Sequence, residues 1–308
     1  MTADSEQQRQ ATNLEIAQLI ETMQASDSVE LKMTVIPDQH RATVASLPID
    51  PVEAQPRQVY FFDTPDLRLN QAGVVVRARR IQGGRGDTVV KLRPVVPAEL
   101  PEELRKSTAF NVEVDVLPGL FGVCSASLKG RIPGADIREA VRGEIPLRKL
   151  FTKDQRAFYK EHAPADLELE DLQVLGPTFI LKSVFQATAG LRRFVAELWL
   201  YPDGSRILEL STKCLPNEAF QVAAEARGYL GAHGIEVGAG TQQTKTKTAL
   251  EFFSAHLGGS PASLAANIAL DGLGIGDDEE ALPSNADDGD DDDLPTSAGD
   301  EDEAADRR

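Results

Sequence analysis

Residues 59–94, VYFFDTPDLRLNQAGVVVRARRIQGGRGDTVVKLRP, carry the reading on which the rest of the chain depends. The aromatic run Tyr60-Phe61-Phe62 breaks at Asp63-Thr64-Pro65-Asp66, and the short Leu67-Arg68-Leu69 then leads to Gly73. Val74 to Arg80 is β-branched and short, the composition of a strand. Strand side chains alternate between faces, so Arg77 and Arg79 share one side and Ala78 and Arg80 the other. Gly83-Gly84-Arg85-Gly86-Asp87 is a turn signal, and a second strand from Thr88 to Arg93 puts Lys91 and Arg93 on one face. Two neighbouring strands thus carry four cations. Like charges gathered on one sheet face persist only if water solvates them or an anion binds between them. This stretch alone leaves both readings open.

The rest of the 308-residue sequence limits what those cations could serve. Its apolar share of 41% is ample for a sizeable core. The formal charge of −17 is concentrated at one end: from Asp271 onward sixteen acidic residues stand against Arg307 and Arg308, leaving only −3 for the first 270 residues. Global acidity therefore says little about a local basic site. Cys124 and Cys214 form no disulfide framework or metal spacing, and His40, His162, His233 and His256 stand apart, which argues against zinc. The polar start MTADSEQQRQ has no apolar signal core, and no apolar run is long enough to span a bilayer. A soluble, cytoplasmic protein is expected.

Polar and apolar residues alternate through most of the chain. After a short helix from Asn13 to about Met23, a strand from Val29 to Val35 sets Ser28, Glu30 and Lys32 opposite Val29, Leu31 and Met33. Phe110 to Val116 sets Asn111, Glu113 and Asp115 opposite valines, the ordinary look of a half-solvated strand. Ile132 to His162 reads as helical. Strands follow near 178–188, 193–201 and 206–214, the last two joined by a Pro202-Asp203-Gly204-Ser205 turn. A helix covers Asn217 to Leu230, and Lys245 and Lys247 precede a final apolar helix. Some polar faces are rich in Arg and Lys and others in Glu and Asp. A closed antiparallel barrel could turn both inward, where cations would hold phosphates and carboxylates a hard, oxygen-seeking ion.

Phe62-Asp63-Thr64-Pro65-Asp66-Leu67-Arg68-Leu69, followed by Gly73 and Arg77-x-Arg79, resembles the DTPD-L-x-L…G…R-x-R segment of the CYTH superfamily, the triphosphate tunnel metalloenzymes. That superfamily includes class IV adenylate cyclases, thiamine triphosphatases and inorganic triphosphatases. The resemblance covers roughly residues 28–255. It implies an α+β fold: an eight-stranded antiparallel β-barrel, the triphosphate tunnel, flanked by helices. The expected division is an N-terminal extension with a short helix (1–27), the tunnel domain (28–255) and a disordered acidic C-terminal tail (271–308), the last from composition.

By position, the resemblance implies triphosphate binding by Lys32, Arg77, Arg79, Lys91, Arg93, Lys182 and Lys247 (or Lys245), with Arg156 a further candidate. It implies metal binding, of Mg²⁺ or Mn²⁺, by Glu30, Glu197 and Glu209. The first glutamate of the family's ExExK signature is Ser28 here, and the second of its late ExE pair is Ser211. Each serine removes a negative oxygen that a hard dication wants, so a weakened metal site is expected. The implied function is binding and metal-dependent hydrolysis of inorganic tripolyphosphate or an organic triphosphate. The alternative is a non-catalytic polyphosphate- or nucleotide-binding module, and adenylate cyclase ranks third because no sequence feature selects adenine. The expected partner is a triphosphate or polyphosphate small molecule, with neither nucleic acid nor membrane.

Overall fold

The structure, a computed structural model, describes residues 3–118, 121–187, 192–236 and 245–257. All of them lie within one compact unit, Met1–Leu273. The tail expected to be disordered from 271 onward lies outside the described residues. The strands are β1 (Ser28–Val35), β2 (Gln55–Asp63), β3 (Val74–Ile81), β4 (Gly86–Leu92), β5 (Phe110–Leu117), β6 (Phe121–Ile132), β7 (Gln173–Gln186), β8 (Arg193–Leu200) and β9 (Arg206–Cys214). The helices are α1 (Ala3–Gln24), α2 (His40–Ser46), α3 (Arg68–Gln71), α4 (Glu102–Arg105), α5 (Gly134–Val141), α6 (Lys153–His162), α7 (Ala219–Ala232) and α8 (Lys245–Leu257).

The strands close into a barrel in the order β1-β5-β6-β4-β3-β2-β7-β8-β9. This corrects the expected eight-stranded, wholly antiparallel barrel on two points. There are nine strands among the described residues, and β1 pairs with β5 in parallel, Glu30 opposite Asp115 and Ser28 opposite Glu113. The corrections are linked: an odd number of strands in a closed ring cannot alternate direction all the way round, so one parallel seam is required. The strand absent from the sequence reading is β6, FGVCSASLKGRI, whose small residues lack a β-branched run. Packing explains them. A Cβ on Gly122 would come within 2.2 Å of Leu19 of α1, and one on Gly130 within 2.7 Å of Gln155 of α6. Tertiary contact sets the composition here, not strand propensity. The N-terminal helix is also longer than expected, starting at Ala3 rather than Asn13.

The outward apolar faces are covered by helices. Val74, Val76, Ala78, Val90, Val112 and Val114 pack beneath α1, α5 and α6 through Leu19, Ile137, Phe158 and Tyr159. Met33, Val35, Phe194, Ala196 and Leu210 pack beneath α7 through Ala226 and Leu230. A third cluster lies on the inward side: Val59, Phe61, Leu175, Ile180, Trp199 and Ile207 pack against Ala249, Leu250 and Phe253 of α8. Helix α8 is an apolar stopper against one part of the barrel interior. No helix among the described residues is long and apolar enough to cross a membrane.

The motif that opened the sequence reading proves architectural. Asp63, 2% exposed, accepts hydrogen bonds from the backbone N–H groups of Thr64 (2.7 Å), Leu69 (2.9 Å) and Asn70 (3.0 Å). Thr64 Oγ1 accepts from Arg68 N at 2.9 Å, so the two side chains together collect the unpaired donors at the start of α3. Leu67 takes a left-handed conformation (φ 59°) to fit this turn. Leu69 is fully buried in the outer core, and Pro65 O accepts from Ser254 Oγ of α8 at 2.6 Å. The motif therefore turns the chain from β2 into β3 and also seats the stopper. Gly73 follows at φ 74°, and a Cβ there would stand 3.0 Å from Arg93 O.

Candidate functional site: a tunnel with a basic and an acidic wall

The alternation that buries apolar residues beneath the helices turns the polar ones inward. Strands β2, β3, β4 and β7 supply mainly cations. Arg77 and Arg79 sit opposite Phe61 and Val59 of β2, whose side chains belong to the inner cluster. Arg79 Nε donates to Asp87 Oδ2 at 2.6 Å. Lys91 and Arg93 follow on β4 and at its end, and Lys182 of β7, 8% exposed, pairs in register with Glu197 of β8. Strands β1, β5, β8 and β9 supply mainly carboxylates. An interior with opposed walls of charge is the result.

On the acidic wall, Glu30, Glu113 and Asp115 converge, with ligand oxygens within 4.8 Å of one another. Lys32 Nζ lies 3.1 Å from Glu30 and 2.8 Å from Asp115. Arg93 reaches the other Asp115 oxygen at 2.7 Å, and Lys213 reaches Glu113 at 2.7 Å. Burial works against the Lys32 charge, but Asp115, Glu30, Glu209 and Glu113 outweigh it and hold the ammonium well above its usual range. Burial likewise opposes the charges of Glu113 and Asp115. Lys213, Lys91 and Lys32 nevertheless keep Glu113 at about 2, and Lys32, Lys91 and Arg93 keep Asp115 below the usual carboxylate range. Glu30 moves the other way: burial, with repulsion from Glu113 and Asp115, raises it despite Lys32 and Lys213. Burial lowers Lys91 to about 8, helped by Lys32 and Arg93 and only partly countered by Asp115 and Glu113.

A second carboxylate pair lies on β8 and β9, where Glu197 is the register partner of Glu209. Lys245, the first residue of α8, places its ammonium on Glu197 Oε2 and 2.8 Å from Glu209 Oε1. Trp199 donates its indole N–H to Glu197 at 3.1 Å, and the Lys245 ammonium stands 5.0 Å from the centre of the Trp199 ring. Burial opposes the Glu197 charge, yet Lys245 and the indole hold it well below the usual range.

The structure thus brings Glu30, Lys32, Arg77, Arg79, Lys91, Arg93, Lys182, Glu197 and Glu209 to one interior. It places Lys247 elsewhere: its side chain is 68% exposed, 3.7 Å from Glu251 on the outside of α8, and Lys245 is the lysine that enters. Arg156 lies outside the barrel, donating to Phe151 O at 2.5 Å. The carboxylates also divide differently from expectation, since Glu30 groups with Glu113 and Asp115 rather than with Glu197 and Glu209. The alternation in 110–116 already placed Glu113 and Asp115 on one polar face. Only ring closure shows that this face is the inside.

Three convergent carboxylates are the hard anionic oxygens that Mg²⁺ or Mn²⁺ requires. These residues fit a divalent ion. Ser28, register partner of Glu113, directs its hydroxyl to Glu113 Oε2 at 3.4 Å. The carboxylate missing at position 28 is matched by one on the adjoining strand.

No family model matches the sequence, and no curated protein matches it. Solved structures do. One is HpAC1 from Hippeastrum, assigned as an adenylyl cyclase and described as having a dominant triphosphatase activity. It is 16% identical with a TM-score of 0.50, over 69% of this chain and 91% of that one. Another, assigned as an adenylate cyclase, comes from Bacillus halodurans: 12% identity and a TM-score of 0.50, over 72% of this chain and 97% of that one. Likeness at this identity establishes shared architecture.

Proposed function

The chain has the CYTH-type tunnel fold, and from that premise we propose that its interior binds a linear triphosphate and hydrolyses it with the help of a divalent metal ion. One observation carries the reading: a closed barrel holds a wall of Arg77, Arg79, Lys91 and Lys182 facing a wall of Glu30, Glu113 and Asp115. A triphosphate carries dense negative charge that the first wall would neutralise through charge-assisted hydrogen bonds. Glu30, Glu113 and Asp115 would hold Mg²⁺ or Mn²⁺, which supplies polarisation of a phosphoryl oxygen and a more acidic bound water. The protein's own part is positioning and charge. Arg77 and Arg79 orient the phosphate chain, while Lys32 and Arg93, paired to the acids of the second wall, stabilise charge that develops on the leaving oxygens.

The inward carboxylates of β5 favour the hydrolase over a purely binding module, because they supply metal ligands that Ser28 and Ser211 lack. Trp199 is buried in the stopper cluster, which supports packing rather than base recognition. The test is phosphate release from tripolyphosphate, thiamine triphosphate, ATP and GTP with Mg²⁺ and with Mn²⁺. Release from tripolyphosphate that stops in EDTA is the expected outcome. No release from any of the four, with tripolyphosphate still binding, would return the binding-module reading to first place.

A further inference from the structure

The two carboxylate groups differ in what already lies between them. Glu30, Glu113 and Asp115 gather three acids with converging oxygens. Glu197 and Glu209 are two, and position 211, which could add a third from β9, is Ser211. Their bridging position is held by the Lys245 ammonium, in contact with both carboxylates and set against the face of Trp199. Lys32 likewise spans Glu30 and Asp115, and Arg93 and Lys213 contact Asp115 and Glu113, but these cations project from the barrel strands or their ends around three acids, whereas Lys245 enters from a helix between two. The Lys245 backbone is anchored. Tyr201 donates its hydroxyl to Lys245 O at 3.1 Å, and Ala249, Leu250 and Phe253 lock α8 into the inner apolar cluster. The ammonium stays on the pair for as long as the stopper is seated.

We propose that Lys245 is the resident second cation of this site: it fills the Glu197–Glu209 pair, so the tunnel takes a single divalent ion, at Glu30, Glu113 and Asp115. This deepens the metal-assisted reading above and rests on it. Lys245 is then the residue that sets the metal count. An ammonium carries one charge and cannot polarise a phosphoryl oxygen as a dication does, so the second carboxylate pair would hold the stopper without taking part in metal chemistry.

The test is Mn²⁺ binding to EDTA-stripped full-length protein without any phosphate, counting tight sites from the electron paramagnetic resonance signal of unbound Mn²⁺. Weak binding by the acidic tail is common to every variant and cancels in comparison. Quenching of Trp199, the single tryptophan of the sequence, separately reports an ion at the Glu197–Glu209 pair. Wild type is expected to hold one tight Mn²⁺, Glu30→Gln none, and Lys245→Arg one. Lys245→Met is expected to gain a second, with stronger Trp199 quenching. Two tight sites in wild type would overturn the proposal even if Lys245→Met failed to fold, as would a folded Lys245→Met with one site. No tight site in wild type would instead remove the metal-assisted reading on which the proposal stands.

Discussion

Glu113→Gln should lower metal-dependent phosphate release by about 100-fold, equivalent to roughly 2.7 kcal/mol of transition-state stabilisation. Glu113 is buried, held ionised at about 2, and converges with Glu30 and Asp115. Glutamine keeps the shape but removes the negative oxygen that a hard dication needs. The geometry also predicts a rescue. Ser28 and Glu113 are register partners with their side chains in contact, so Ser28→Glu combined with Glu113→Ser moves the carboxylate across the β1–β5 seam without changing the total charge. That exchange should recover most of the lost rate, whereas Ser28→Glu alone should not exceed wild type, since it adds an acid beside three already crowded. Steady-state release from tripolyphosphate measures all of these. A Glu113→Gln rate within threefold of wild type would show that the β5 carboxylates are not ligands.

Asp63→Ala should be the most damaging single change to the fold, costing about 3–5 kcal/mol. The carboxylate satisfies three backbone donors at 2.7 to 3.0 Å in a 2% exposed position, and truncation leaves all three buried and unpaired. Asp63→Asn should cost less, because one amide oxygen still accepts while the NH₂ group faces a donor. Urea unfolding followed by circular dichroism should rank wild type above Asp63→Asn and Asp63→Ala last. An alanine variant within about 1 kcal/mol of wild type would mean that the turn is held by Thr64 and the α8 contact alone.

These two residues mark what was and was not legible in the sequence. Asp63 sits in the most diagnostic motif, yet its work is to turn a chain and seat a helix. The Asp63–Asp66 turn pointed to a closed barrel flanked by helices, though not to its nine strands or parallel seam, without itself being part of the tunnel lining. Arg77, Arg79 and Lys91 were legible because strand alternation fixes which residues share a face, whatever the topology. Which face is the inside depends on closure, a non-local property, and so Glu113 and Asp115 read as solvated. Strand β6 escaped because its small residues answer to Leu19 and Gln155 pressing from helices far away in sequence. Lys247 was put ahead of its alternative Lys245 because no periodicity could be read across 241–247 before the start of α8 was known. Ser28 could be read as a missing carboxylate from one strand, but that Glu113, 85 residues away, stands beside it follows only from the parallel β1–β5 pairing.

The most direct test of the tunnel as a triphosphate site is a calorimetric titration of tripolyphosphate into the full-length protein, in EDTA near pH 8 and in two buffers of different ionisation enthalpy. Lys91 is lowered to about 8 in the unliganded protein, so about half of it is uncharged there. An anion bound beside it favours the charged form, so this group takes up protons on binding, to a limit of about half a proton, set against any proton the terminal phosphate of the ligand releases. The predicted result is one tripolyphosphate per chain, weakening as pH rises above about 9, with the uptake by Lys91 read as the difference in proton balance between wild type and Lys91→Met. Lys91→Met should lose the uptake, and Arg77→Met should lose most of the affinity. No binding, or binding that neither Arg77→Met nor Lys91→Met changes, would contradict the account.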